Sequence, residues 1–245
     1  MQAVRFHEFG APDVLRVEDV ELPTPGAGQV RIRVAATSFN GVDATIRAGA
    51  VQGPIPVVLP HTPGIDVAGT VDALGEGVSG LTVGDAVVGL LPMDADGAAA
   101  GAHVVAVAGP ASSERVRSHG AAEVVDHTTT DVTAAGTGPV DLVLNLAAVS
   151  PEQLAALVGL VRDGGALVNT TVWMPAPSDE ARGVRGVDLF VRSDAAQLAG
   201  LVARVDRGEL RIDVAERVPL AGLPALHARA ATGALPGKVV VLAGA

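Results

Sequence analysis

The pattern of strand and helix signals changes near residue 100, and this change limits the chain to a two-part architecture. Up to about residue 95, short alternating strands such as 30–35 are separated by Gly and Pro clusters such as 23–26. Beyond residue 100, continuous apolar strands alternate with helical segments such as 151–161 and 195–206. The first pattern predicts an all-β, barrel-like unit, and the second predicts a doubly wound parallel sheet.

The core of this chain has to be built from small branched side chains. Hydrophobic residues make up 49% of the sequence, but aromatic residues make up only 2%. Parallel sheets covered by helices use cores of this kind. No uncharged apolar run approaches the ~20 residues that a membrane-spanning helix needs. The N-terminus enters a strand-like pattern without the apolar segment of a signal peptide. We therefore expect a cytoplasmic protein that has no membrane partner.

Charge and cysteine content exclude further classes of function. The formal net charge is −10 and Lys238 is the only lysine, so nucleic acid is not an expected partner. The sequence has no cysteine, which excludes disulfides, thiolate nucleophiles and every cysteine-based zinc site. The six histidines show no spacing typical of metal ligands, and no metal site is expected.

Short motifs follow one another in a recognisable order along nearly the whole chain. In the first half they are MQAVR (1–5), VRIRV (30–34), FNGVD (39–43), RAG (47–49), PGIDVAG (63–69) and GEGV (75–78). In the second half they are RSHGA (117–121), VDLVL (140–144), RDGG (162–165), AQL (196–198) and GKVV (237–240). Together these motifs resemble the zinc-independent medium-chain dehydrogenase/reductase family, which includes quinone oxidoreductases and polyketide enoyl reductases.

The resemblance implies a fold, a cofactor and a substrate class. The fold is a GroES-like β-barrel over residues 1–100, a Rossmann-type doubly wound parallel sheet over 101–220, and a segment, 221–245, that returns to the barrel. The cofactor is NADPH, which would pass hydride to an enone or quinone, a small apolar or conjugated carbonyl compound. The resemblance also implies a homodimer.

One part of the family pattern is missing. The Rossmann-type domain of the family begins with a strand, a Gly-rich turn and a helix, whose backbone N–H groups bind the pyrophosphate. Residues 96–100 resemble the end of the barrel, and 101–107 already resemble the second strand. The GAAAG run at 97–101 has the wrong spacing to replace the Gly-rich turn. Compared with the family, on the order of 60–70 residues are absent.

Loss of the first strand predicts two half-sheets with open apolar edges, because that strand is central in the sheet. Three arrangements would give these open edges a pairing partner. The second strand pairs directly with the fourth, another chain supplies the strand, or the segment exists in a longer form of the protein. The sequence does not choose among them.

Asn40 and Asp43 are the candidate catalytic residues. They follow a barrel strand in a motif that, by the resemblance, lies at the nicotinamide end of the site. Asn40 could hydrogen-bond a carboxamide, a ribose or a substrate carbonyl. The alternative is that both residues cap a loop, since Asn and Asp favour turns for local reasons.

A second group of candidates follows the strand that ends at Ala108. Ser112, Ser113, Arg115 and Arg117 lie where this fold distinguishes the 2′-phosphate of NADP from a free hydroxyl. No acidic residue ends the strand, which disfavours NAD. The two arginines could equally be solvated helix residues.

Other candidates follow later strands or come from the resemblance. Ligands bind at the carboxyl ends of parallel strands, so these ends predict contacts, with strand termination as the alternative. By this reasoning and the resemblance, cofactor contacts are assigned to Asn145, Thr170, Phe190, Arg192 and Lys238, and substrate contacts to Trp173 and His61.

Two functional hypotheses remain open. The first is an NADPH-dependent quinone oxidoreductase or enoyl reductase. The second is a degenerate relative that no longer binds dinucleotide and acts as an apolar-ligand binding protein or a cofactor-free cyclase or isomerase. No proton donor stands out, because the tyrosine that some enoyl reductases use has no counterpart in this sequence.

Overall fold

A computed structural model describes residues 1–50, 57–89, 103–171, 174–190 and 194–243. Within this part, the strands are β1 (Gln2–Arg5), β2 (Arg16–Asp19), β3 (Val30–Ser38), β4 (Val67–Leu74), β5 (Ala86–Gly89), β6 (Val105–Ala108), β7 (Glu123–Asp126), β8 (Val140–Asn145), β9 (Val161–Asn169), β10 (Arg185–Asp188), β11 (Glu216–Pro219) and β12 (Val239–Leu242). The α-helices are α1 (Gly41–Arg47), α2 (Pro110–Ser118), α3 (Pro151–Ala156), α4 (Ala195–Asp206) and α5 (Leu223–Ala231). Short 3₁₀ turns cover Pro12–Val14, Val132–Ala134, Leu157–Leu160, Glu180–Arg182 and Leu220–Gly222.

The chain forms two compact units. Unit 1 comprises Met1–Pro92 and Ser193–Ala245, and unit 2 comprises Met93–Arg192. Residues 193–220, expected in the Rossmann-type domain, therefore group with the N-terminal part of the chain. The pairing explains this difference, because β11 runs parallel to β12 and β12 pairs with β3.

Unit 1 is organised by a five-stranded sheet with the order β11-β12-β3-β4-β5. The central strand β3 is antiparallel to both neighbours, β12 and β4. Gly69 of β4 has to be glycine, because a Cβ there would lie 2.3 Å from the backbone oxygen of Arg33. A separate antiparallel pair, β1-β2, completes the unit's sheets in the described part of the chain. These sheets do not close into the expected barrel within the described residues.

The core of unit 1 lies between the sheet and two helices. Val4, Phe6, Leu226, Val239 and Val241 are buried in one cluster. The cluster explains why the C-terminal strand and α5 belong to this unit, since both supply buried side chains to it. Burial of such side chains stabilises the fold by about 1.5–3 kcal/mol each.

The strands of unit 2 pair only in parallel in its described part, and one isolated antiparallel bridge joins Asp179 to Val184. β6 pairs with β7, and β8, β9 and β10 form a second sheet with the order β10-β9-β8. α3 begins with a capping box, in which Ser150 and Gln153 exchange side-chain-to-backbone hydrogen bonds of 2.9 and 3.2 Å. The predicted doubly wound parallel sheet is confirmed as an architecture.

The sheet of unit 2 is split in two. In the described part of the chain, β6 pairs with β7 alone and β8 pairs with β9 alone, so β6 and β8 are not hydrogen-bonded to each other. The apolar side chains of Val107 in β6 and Leu142 in β8 are about half exposed. The expectation of two half-sheets is confirmed. Direct pairing of β6 with β8, the first of the three arrangements, is not the one that this structure adopts.

Helix boundaries differ from the predicted ones where glycine and β-branched residues intervene. The predicted helix over 151–161 ends at Ala156, continues as a 3₁₀ turn, and gives way to β9 at Val161. Val158, Gly159 and Val161 favour helix poorly, which accounts for the early end. The helix over 195–206 has the predicted bounds. Among the described residues, no helix is both long and apolar enough to cross a membrane.

The core of unit 1 generates a stability prediction. Leu226 is 1% exposed and packs in the buried cluster, whereas Leu22 is 55% exposed in the same unit. We expect Leu226→Ala to lower the free energy of unfolding by about 2–5 kcal/mol, because it leaves a cavity. The matched control Leu22→Ala should change it by less than about 0.5 kcal/mol. Urea denaturation of both variants measures the difference, and equal effects would contradict the assignment of the core.

Candidate functional site

Three strand ends meet at one edge of the unit 1 sheet. Because β3 is antiparallel to β4 and β12, the end of β3 lies beside the beginnings of both neighbours. Asn40 follows β3, Asp66 directly precedes β4, and Lys238 directly precedes β12. The topology of the sheet therefore brings together side chains that are far apart in the sequence.

These side chains form one hydrogen-bond network around Asp66. Oδ2 of Asp66 accepts from the hydroxyl of Ser38 and, at 2.8 Å, from Nδ2 of Asn40. Nζ of Lys238 donates to Oδ1 of Asn40 at 2.6 Å and lies 3.4 Å from Oδ2 of Asp66. The amide of Asn40 is thus fixed in one orientation between a carboxylate and an ammonium group. Lys238 is 38% exposed at its side chain, so its ammonium group remains accessible from solvent.

Asp43 is buried beneath this network. Its side chain caps α1, because Oδ2 accepts from the backbone N–H of Asn40 at 2.8 Å. Burial raises the pKa of Asp43, and the charge of Asp66 acts in the same direction, whereas the backbone N–H of Asn40 and the charge of Lys238 oppose the rise. With 3% of its surface exposed, Asp43 faces the interior of the unit. A capping role, the alternative that the sequence left open, describes the contacts it makes.

Asp66 and Ser38 belong to this site but are not among the residues predicted from the sequence. Asp66 falls within the PGIDVAG motif, and Ser38 directly precedes FNGVD. The sequence does contain a pattern that predicts this contact. A carboxylate at the start of one strand and a polar pair at the end of its antiparallel neighbour lie at the same edge of the sheet. That prediction requires the pairing of β3 with β4 to be known.

His61 lies elsewhere in unit 1. Its backbone forms a bridge with Phe6, through hydrogen bonds of 2.9 and 3.0 Å, and its ring packs edge-on against the Phe6 ring. Burial lowers the pKa of His61. A substrate contact by His61 stays a prediction, and the contacts described are structural.

A second site lies at the carboxyl ends of β8 and β9 in unit 2. Asn145 and Asn169 end these strands in register, and Nδ2 of Asn145 donates to Oδ1 of Asn169 at 2.9 Å. The hydroxyl of Thr170 donates to the backbone oxygen of Asn145 at 3.1 Å. Both asparagines are buried, at 6% and 1% exposure. Asn145 therefore holds the two strand ends together. Asn169, which the sequence marks as the end of its strand, donates to the backbone oxygen of Met174.

A cavity of about 160 Å³ opens at the same edge. Thr170 and Phe190, two of the residues predicted to contact the cofactor, line it together with Asn169, Thr171, Met174, Pro175, Asp188 and Leu189. A cavity of about 150 Å³ holds a ring the size of benzene. The carboxyl edge of this parallel sheet therefore has room for one six-membered ring, and both polar groups and the exposed aromatic ring of Phe190 line it.

The residues on α2 belong to a different part of unit 2. The hydroxyls of Ser112 and Ser113 donate to the backbone oxygen of Gly109 at 3.3 and 2.9 Å, which closes the first turn of the helix. No residue of α2 is buried, and Arg117 is exposed on its last turn. α2 packs with β6 and β7, whereas the cavity belongs to the sheet of β8, β9 and β10.

Two predicted site residues, Trp173 and Arg192, lie outside the described residues. Within the described ranges, no group of three or more His, Asp or Glu side chains could hold a metal ion.

The network around Asp66 generates a prediction about energetic coupling. We expect Lys238→Met to lower the free energy of unfolding by about 1 kcal/mol, a modest value because the ammonium group is partly screened by solvent. Combined with Asn40→Ala, it should show a coupling energy of about 0.5–1.5 kcal/mol in a double-mutant cycle. The control Arg16→Met, at an exposed position of β2, should change stability by less than about 0.5 kcal/mol. Strict additivity of Lys238→Met and Asn40→Ala would show that the two side chains do not interact.

Comparison with known proteins places these features in a family. The alcohol dehydrogenase GroES-like domain model matches residues 26–121, and the zinc-binding dehydrogenase model matches residues 119–241, half of the chain. The quinone oxidoreductase of Sus scrofa is 46% identical over 88 residues, which are 36% of this chain and 26% of that protein. That of Homo sapiens is 43% identical over the same length. The matched region spans about a quarter of each of these relatives.

Solved structures share the fold over the whole chain. The quinone oxidoreductase from Coxiella burnetii has a TM-score of 0.88 at 21% identity, with 100% of this chain and 99% of that chain covered. A mycobacterial protein solved in complex with NADPH has a TM-score of 0.78 at 21% identity, with 99% and 100% covered. The open GroES-like unit, the parallel strands of unit 2 and the matched family models together show that this chain belongs to the medium-chain dehydrogenase/reductase family.

Proposed function

We propose that the chain is a zinc-independent oxidoreductase that uses NADPH to reduce a quinone or an activated C=C bond. The observation that carries the proposal is the cavity at the carboxyl ends of β9 and β10, which has the size of a single ring. Ligands of doubly wound sheets bind at this edge. The absence of cysteine from the sequence supports chemistry without zinc, because the zinc sites of this superfamily require it.

The residues around the cavity suit the nicotinamide end of a dinucleotide. Phe190, which is 66% exposed, offers an apolar face to a ring, and the Thr170 and Thr171 hydroxyls offer polar groups for a carboxamide. When bound, NADPH supplies the hydride. The protein's part is to orient the ring and to exclude water from one face.

The described part of the chain offers few groups that could bind the pyrophosphate of a dinucleotide. α2 begins with Pro110, which has no N–H group to offer to a phosphate, and no Gly-rich turn followed by a helix precedes β6 there. The residues that suit the 2′-phosphate are Arg115 and Arg117, on the last turn of α2. The preference for NADPH over NADH therefore depends on these two guanidinium groups.

The polar network of unit 1, taken by itself, contains groups that suit a carbonyl compound. Lys238 is partly exposed and positively charged, and Asn40 is held rigidly beside it. A positive group at a fixed position stabilises the negative charge that develops on a carbonyl oxygen during hydride addition. The substrate class that suits this arrangement is a small apolar or conjugated carbonyl compound.

We also propose that the protein forms a homodimer in the cytoplasm through the edge of β10. This strand ends the sheet of unit 2, and Val187 and Leu189 beside its end are each 38% exposed. The segment at Ser178 covers part of the outer edge, where the N–H of Gly186 donates to the Ser178 hydroxyl, and the rest of the edge is where a second chain would pair.

One observation favours a second function. The sheet of unit 2 is split where the phosphate-binding unit of the fold begins, and this break favours a relative that binds an apolar ligand without dinucleotide. As a cofactor-free cyclase, isomerase or binding protein, the chain would use the cavity of unit 2 for the apolar ligand.

Titration with nicotinamide cofactors separates the two functions. After an intact-mass measurement of the purified chain, nicotinamide fluorescence is followed during addition of NADPH and, separately, NADH. We expect saturable binding that favours NADPH, and Arg117→Ala should weaken NADPH binding by about tenfold or more while changing NADH little, because a charged hydrogen bond to the phosphate is lost.

Arg162→Ala is the matched control, since Arg162 is also an exposed arginine of unit 2 but lies beside Asp141, away from α2. It should leave the affinity for both cofactors unchanged. If a folded protein of the correct mass binds neither cofactor, the reductase proposal is wrong and the apolar-ligand function takes its place.

A further inference from the structure

A small cavity lies inside unit 1, next to the end of β3. Its volume is about 10 Å³, which is room for one water molecule. The walls come from the end of β3, the turn at Pro63 and Gly64, α1 and α5. Asp43 and His227, two fully buried polar side chains, both line it.

Each of these side chains has one buried polar atom without a protein partner at normal hydrogen-bond distance and angle in the described part of the chain. Only the backbone N–H of Gly64, which acts to lower the pKa of Asp43, approaches that carboxylate from the cavity wall. Among the described residues, Oδ1 of Asp43 and Nε2 of His227 are buried and have no hydrogen-bond partner. Buried polar atoms of this kind are unfavourable unless a partner or an ordered water pairs with them. Because both residues line a single cavity of this size, one small partner inside it is the simplest way to pair both atoms.

The tautomer of His227 follows from its other nitrogen. Nε of Arg47 donates to Nδ1 of His227 at 3.3 Å, and a guanidinium group is a donor only. Nδ1 must therefore be the acceptor, and the ring proton resides on Nε2. Burial and the positive charge of Arg47 lower the pKa of His227 to about 4, so the ring is neutral near pH 7. The Phe39 ring packs edge-on at 4.9 Å between centroids and holds the imidazole plane.

The two residues that line the cavity thus leave one donor, the Nε2–H of His227, and one acceptor, Oδ1 of Asp43, without a partner. A water molecule matches this pair, because it accepts from the first and donates to the second. A cation would face the N–H group, and an apolar group would leave both atoms unpaired. We propose that one buried water molecule bridges His227 to Asp43 and thereby makes Asp43 a positioning residue for Asn40.

The bridge connects α5 to the polar network. Oδ2 of Asp43 accepts from the backbone N–H of Asn40, whose side chain in turn contacts Asp66 and Lys238. Water on one carboxylate oxygen fixes the orientation of the other, so His227 acts on Asn40 through Asp43. This inference concerns unit 1 alone and holds whether or not the chain binds NADPH.

The first test needs no variant. Long-range ¹H–¹⁵N correlation spectra of the full chain report the tautomer and charge of every histidine ring. We expect His227 to carry its proton on Nε2 and to stay neutral well below the ordinary histidine range, because burial and the charge of Arg47 lower its pKa to about 4. A proton on Nδ1, or titration near the ordinary histidine value, overturns the proposal.

The second test locates the water. A high-resolution crystal structure of the full chain should show one ordered water within hydrogen-bond distance of both Asp43 Oδ1 and His227 Nε2. The same experiment on His227→Phe should show no water there. An empty cavity in the unaltered chain, or a direct hydrogen bond between the two side chains, contradicts the bridge.

The third test measures positioning rather than stability alone. Hydrogen exchange of the Asn40 side-chain amide should become about tenfold faster in His227→Phe, the factor expected when one supporting hydrogen bond is lost. Asp43→Asn, which keeps an acceptor for the Asn40 N–H, should stay within about twofold of the unaltered chain. His103→Phe, a change at an exposed histidine of unit 2, should have no effect. Unchanged exchange in folded His227→Phe would show that His227 does not support Asn40.

Discussion

The arrangement of unit 1 depends on the carboxylate of Asp66. One of its oxygens receives hydrogen bonds from Ser38 and Asn40 and lies 3.4 Å from the ammonium group of Lys238. These groups come from the end of β3 and the beginnings of β4 and β12, so one carboxylate ties three strands together at an edge. It compensates the charge of the chain's only lysine, and it leaves that lysine and Asn40 in a fixed geometry.

Much of this could be predicted from the sequence, because the relevant signals are local. The change of pattern near residue 100, the helix at 195–206 and the parallel strands of unit 2 follow from hydrophobic periodicity. Asn40 and Asp43 stand out in a short motif. The partners of Asn40 do not, because Asp66 and Lys238 reach it only through the pairing of β3 with β4 and β12. The buried contact of His227 cannot be predicted from the sequence for the same reason, because its partner Arg47 lies 180 residues away.

Unit 2 shows what the loss of a central strand does to a doubly wound sheet. The carboxyl edge of β8, β9 and β10 keeps its buried asparagine pair and its cavity, because those contacts lie within one half-sheet. The half-sheet of β6 and β7 keeps α2 and its arginines. What the split removes is the strand between them, where the fold would bind pyrophosphate. The two proposed functions differ in whether the chain compensates for that loss.

Amide hydrogen exchange of the intact chain, read residue by residue by NMR, tests the split sheet most directly. In β6 and β8, the amides that do not face β7 or β9 should exchange as fast as those of exposed loops. In β9 and β3, which have a partner on both sides, the amides should be strongly protected. Uniform protection of β6 and β8, equal to that of β9, would show that both strands are paired on both sides in solution and would contradict the division of unit 2 into two half-sheets.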